Sequence, residues 1–154
     1  QGAAVAFVRV VTREETDSTA LKNLYARRGH PGQHAICRAD EPGSDYYRLF
    51  PEDGDIEIEK VLFDGFHGTD LEEKLRAREI DTVLVTGVTT DCCVDQTARS
   101  AFHRNFNVIV ESDACAAYED ALHAGGLLAL EKNCALLADT KSVLSAWSGI
   151  SDEA

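Results

Sequence analysis

Apolar residues in this chain gather into five short, β-branched runs with stretches of helical spacing between them. The runs cover residues 5–11, 56–63, 82–88, 106–111 and 134–138. Several are apolar at successive positions, the pattern of parallel strands covered on both faces. Residues 17–28 carry Ala20, Leu21, Leu24 and Tyr25 on one stripe, and Gly29 stops the helix. Thr69-Asp70-Leu71-Glu72 has the form of a capping box, leading into a helix with Leu71 and Leu75 inward. Residues 91–104 place Val94, Thr97, Ala98, Ala101 and Phe102 at helical spacing. Leu122, Gly126 and Ala129 or Leu130 line the next helix, and Val143, Leu144 and Trp147 a last one. Such alternation predicts an α/β fold with a mostly parallel sheet and right-handed crossovers. Residues 29–55, rich in Gly, Pro, Asp and Glu, form the exception. A loop of that length is expected to act as a lid or a partner contact.

Length and charge narrow the picture. A chain of 154 residues is long enough for one domain with a real core. No apolar run approaches the ~20 residues of a membrane span, and no signal-peptide pattern opens the chain. A net charge of −12 argues against nucleic acid and anionic membrane surfaces as partners. The five cysteines are an odd number without Cys-x-x-Cys spacing, which speaks against a disulfide framework or zinc ribbon and for a reducing cytoplasm. Gln1 is no initiator, the chain has no methionine, and residues 5–11 already read as a strand. These features lead to the expectation of a fragment or trimmed chain.

The chemistry concentrates in residues 81–94, Asp-Thr-Val-Leu-Val-Thr-Gly-Val-Thr-Thr-Asp-Cys-Cys-Val. An apolar strand runs into Gly87, two threonines follow, and a cysteine pair opens the next helix. A thiol there lies at the carboxyl end of a strand, where open α/β sheets keep their ligands. It also lies in a helix first turn, where free N–H groups and the macrodipole favour the nucleophilic thiolate. With a helical step of about 100°, Cys93 falls about 110° from the Val94-centred core stripe and Cys92 about 150°. The spacing favours Cys93 without excluding its neighbour. Cys115 and Cys134 suit the role of small buried hydrophobes. Lys60 ends a strand whose neighbours Ile56, Ile58, Val61, Leu62 and Phe63 are apolar. It is either an edge lysine reaching for water or a cation placed for chemistry.

Gly87, Val88, Thr90, Cys93 and Val94 resemble the Gly-Val-x-Thr-x-x-Cys-Val nucleophile motif of the isochorismatase-like, or cysteine hydrolase, superfamily. Residues 59–71, with Lys60 and then Thr69-Asp70-Leu71, resemble the block that carries that superfamily's catalytic lysine. The resemblance implies a three-layer, doubly wound Rossmann-like fold, here without its first strand. It implies Cys93 as nucleophile, Lys60 as its cationic partner, and an oxyanion hole from the N–H groups of Thr89 and Cys93, beside a cis Val88–Thr89 peptide. An aspartate is implied as proton shuttle at the end of a strand upstream of residues 5–11, and no residue of this chain matches that position.

Phe63, Phe66 and Tyr118, with Tyr46 and Tyr47, are candidates for lining a small pocket and equally good core residues. Nicotinamidases of the superfamily carry an Asp-x-His with a further histidine; residues 12–29 here hold no histidine, so no metal is expected, and no cofactor. His30 and His34 are separated by Pro31 and Gly32, which forbid a helix between them. His67 reads as a loop residue at the edge of a cleft, and His103 and His123 as solvated helix positions. The expected reaction is hydrolysis of a C–N bond in a small amide or ureido compound through a thioester. The alternatives are a catalytically silent scaffold or oligomerisation module, an isochorismatase-type hydrolase, and a redox or metal role for the Cys92–Cys93 pair, whose side chains diverge on a helix. A homo-oligomer, dimer or tetramer, is expected.

Overall fold

A computed structural model describes residues 2–150. The chain is α/β with all strand pairs parallel, and it divides into two compact units, one up to Lys74 and one from Leu75 onward. The first holds β1 (Ala6–Val10), α1 (Thr19–Arg27), a 3₁₀ turn (Pro42–Ser44) and β2 (Ile56–Lys60), with α2 (Leu71–Arg76) at the junction. The second holds β3 (Thr82–Val88), a wide π-type turn (Thr90–Val94), α3 (Asp95–His103), β4 (Asn107–Ala116), α4 (Asp120–Asn133), β5 (Leu136–Ala138) and α5 (Thr140–Ile150).

In the first unit β1 pairs with β2 from Ala6 opposite Ile56 to Val10 opposite Lys60. The sequence predicts a strand to residue 63; instead it ends at Lys60, and its side chains alternate between buried and exposed. Ile56, Ile58 and Lys60 are buried while Glu57 and Glu59 face out. The pleat explains why, since alternate side chains share a face and Lys60 has the parity of the isoleucines. The outward glutamates are used: Glu59 accepts from Arg9 and Arg13, and Glu57 from the Tyr46 hydroxyl at 2.8 Å. Tyr46 also meets Phe7 edge-on at 5.6 Å.

The long loop is tied down rather than free-standing. Thr12 bridges to Arg38 as an isolated parallel pair, and its buried hydroxyl donates to the Ile36 carbonyl at 2.6 Å. Asp17, beside the Ser18 cap of α1, accepts both Arg38 guanidinium nitrogens at 2.7 Å, with Lys22 at 3.4 Å and His34 Nε2 at 3.3 Å.

In the second unit the sheet runs β3–β4–β5. β4 reaches Ala116, five residues past the expected end. Its register against β3 slips between Val85 and Gly87, so Gly87 lies opposite Cys115 and Val88 opposite Ala116. Val94, Ala98 and Ala101 form the buried stripe leading into and along α3, with Phe106, Val108, Val110 and Leu130. Phe102, expected on that stripe, is exposed, as are Leu122, Leu144 and Trp147.

Candidate active site

Expected site residues lie in both units. In the first, Lys60 is only 4 % exposed, so it is not an edge lysine reaching for water. Its ammonium donates to the Phe63 carbonyl, which turns the chain back immediately after β2. The following block is held by local bonds. The Phe66 N–H donates to Asp64 Oδ1 at 2.8 Å, an Asx-type turn, and the Thr69 hydroxyl donates to the Gly65 carbonyl at 2.6 Å. Phe66 is buried and Phe63 half-buried, while His67 is exposed. Leu71 and Leu75 point inward as expected.

In the second unit β3 delivers the chain to the cysteine pair. Gly87 holds φ +117°, a conformation that side-chain-bearing residues rarely adopt. The Val88–Thr89 peptide is cis, as the resemblance implies. The sequence predicts an ordinary helix from residue 91, but the first five residues wind more widely. Val94 N–H donates to the Thr89 carbonyl at 3.1 Å, an i→i−5 bond, and Asp95 N–H reaches the Thr90 and Cys92 carbonyls. The 100° step used to separate Cys92 from Cys93 therefore applies only beyond Asp95. Both thiols are half-buried, so exposure does not choose between them.

Tyr118, expected against a pocket, is 94 % exposed, because β4 has ended and the chain is approaching α4 there. Thr89 is half-buried directly before the turn. Burial pushes the Cys115 and Cys134 thiols up, consistent with inert packing roles. His123, read from sequence as solvated, instead lies with Nδ1 2.8 Å from the hydroxyl of the completely buried Thr90. The helical register of His123 against the last buried residue of α4, Leu130, gives no hint of this, because the contact is to the turn.

Among the described residues no three His, Cys, Asp or Glu side chains converge for a metal ion. Asp17, the carboxylate that does meet a histidine, is already taken by Arg38 and Lys22. A shallow depression of about 480 Å³ lies nearby, lined by Thr12, Arg13, Glu14, Arg38, Asp40 and Glu41 among others. It contains none of the expected catalytic residues.

A family model described as "Isochorismatase domain" matches residues 1–142. The chain is 36% identical over 138 residues to the ureidoacrylate amidohydrolase RutB of a Methylorubrum extorquens strain, covering 89% of this chain and 54% of that one. A solved cysteine hydrolase from Pseudomonas syringae pv. phaseolicola 1448A superposes with a TM-score of 0.80 at 28% identity, over 92% of this chain and 70% of that one. The nicotinamidase PncA of Bacillus subtilis gives 0.75 at 26%, over 90% and 76%. The chain spans about half the length of the curated relatives it matches. Since that family model covers residues 1–142, the chain belongs to the isochorismatase family.

Proposed function

We propose that this protein hydrolyses a C–N bond in a small amide or ureido compound, with Cys93 as nucleophile. The Cys93 thiolate attacks the carbonyl carbon, and the oxyanion is received by the N–H groups of Thr89 and Cys93. The C–N bond then breaks, the nitrogen leaves as ammonia or an amine after taking a proton from water, and a thioester remains. Water attacks the thioester, releasing the acid and restoring the thiolate as one proton returns to solvent. Lys60 is the cation that favours thiolate over thiol. Phe63 and Phe66 flank the substrate; Tyr118, being exposed, contributes only if substrate draws it in. Residues 1–154 work in this reading as one hydrolase domain and as a homo-oligomer, with no nucleic-acid or membrane partner, in the cytoplasm. What carries the reading is the wide Thr90–Val94 turn bearing Cys93 at the carboxyl end of β3, directly after Thr89. The amide-hydrolysing names of RutB and PncA support the substrate class.

The test is a covalent trap. Incubation with a panel of small ureido and primary-amide compounds, followed by rapid acid quench and intact-mass measurement, should show an acyl adduct on the wild type. Cys92→Ala should retain the adduct and Cys93→Ala should lose it, together with turnover by roughly 10⁴-fold or more. A dead Cys92→Ala with a live Cys93→Ala would move the nucleophile by one residue. No adduct and no turnover from any substrate would favour the silent scaffold.

A further inference from the structure

Thr90 is completely buried, so its hydroxyl must find its partner inside the protein. That partner is His123 on α4, with Nδ1 at 2.8 Å from Oγ1. If Nδ1 is unprotonated the hydroxyl donates to it; if Nδ1 carries hydrogen the ring donates instead. In both tautomers one hydrogen bond joins α4 to the first residue of the Thr90–Val94 turn.

A second contact lies three residues further along the same helix face. A Cβ on Gly126 would sit 3.3 Å from Asp91 Cα and 3.4 Å from both Asp91 N and the Thr90 carbonyl carbon. The α4 backbone presses closely against the turn here, and a Cβ at Gly126 would require the turn to give by a few tenths of an ångström. The turn has little slack of its own, since the Thr89 carbonyl accepts from both Cys92 and Val94. A shift of Thr90 therefore moves the cysteines with it.

From this geometry we infer that His123 is a positioning residue: through Thr90 it fixes the turn that aims the Cys93 sulfur and amide, with Gly126 as the second point of support. The inference rests on Cys93 being the nucleophile. It assigns His123 no contact with substrate and no proton in the reaction.

The experiment follows iodoacetamide modification of each cysteine by peptide mapping at neutral pH, alongside thermal melts. His123→Ala should slow Cys93 alkylation by on the order of tenfold, because a cysteine's reactivity depends on the local surroundings that the turn gives its sulfur, while the protein stays folded. His123→Asn, whose amide can bond Thr90 from nearly the same place, should restore most of the rate. Gly126→Ala should slow Cys93 with His123 intact. An alanine variant as fast as wild type would overturn the inference, and so would an asparagine variant as slow as the alanine one. If His123→Ala fails to fold, the asparagine and Gly126→Ala variants still decide: wild-type Cys93 rates in Gly126→Ala would refute the positioning role. A wild type whose Cys93 reacts no faster than Cys92 would instead sink the nucleophile reading, and this inference with it.

Discussion

Lys60 shows how one residue can be read from strand parity. A lysine on the buried face of β2, donating to a backbone carbonyl, is costly to keep charged and dry. Buried groups that break the local rules in this way are found chiefly at functional sites. Replacing Lys60 by Met keeps the length of the apolar stem and removes the ammonium. We expect the folding stability of Lys60→Met to stay within about 1 kcal/mol of wild type, or to rise, because burying a methionine needs no compensating partner. Under the proposed function turnover should fall about 10²–10³-fold, the scale of losing one electrostatic group from an active site. Chemical denaturation and steady-state kinetics on the same preparation check both halves. A large stability loss with retained activity would make Lys60 a structural residue.

The elements were legible where hydrophobic periodicity alone decides them. Thr82–Val88 is the strand the β-branched run predicts, residue for residue, and Leu71 and Leu75 are buried as the predicted helix requires, although the Thr69 hydroxyl bonds Gly65 and Leu71 and not Glu72. The wide turn at Thr90–Val94 was not legible, because an i→i−5 bond leaves no periodic trace over five residues. The His123–Thr90 contact was hidden for the same reason. β4 overran its expected end because the register slip opposite Thr86 admits polar residues, Ser112 and Asp113, into a strand. The anchoring of the long loop was equally invisible, since it depends on Asp17 meeting Arg38 across 21 positions. The Arg38 guanidinium holds the Asp17 carboxyl at about 2, below its ordinary 3.8. A depressed carboxylate stabilises the fold above its unfolded value, and the contribution is lost as pH falls through the folded one. Asp17→Asn should therefore be less stable than wild type near neutrality, and the gap should narrow between about pH 4 and pH 2. Urea midpoints across that range measure it. A gap that stayed constant with pH would mean that the Asp17 side chain contributes by shape rather than by charge.

At the scale of the molecule, composition and surface pull in opposite directions. A net charge of −12 makes two copies repel, while the surface keeps large apolar side chains in water. Tyr47, Leu49 and Phe50 stand exposed within four residues of the long loop, and Leu136, Leu144 and Tyr118 are exposed in the second unit. Among the described residues no helix is long and apolar enough to cross a membrane, so a bilayer-spanning helix does not account for them. Contiguous exposed apolar surface usually marks an interface, and a second copy of the chain is the partner proposed here. If so, association should strengthen with salt, because the screening length falls from about 10 Å at 0.1 M to about 3 Å at 1 M while apolar burial is undiminished. Sedimentation at micromolar concentration should then show a species at a multiple of 16.8 kDa whose share grows with sodium chloride. Leu49→Asp with Phe50→Asp should shift it toward the monomer if the 47–50 stretch is buried in the contact. A chain that stays monomeric from low to high salt would remove the oligomer from the proposal while leaving the chemistry of Cys93 to be judged by its own trap.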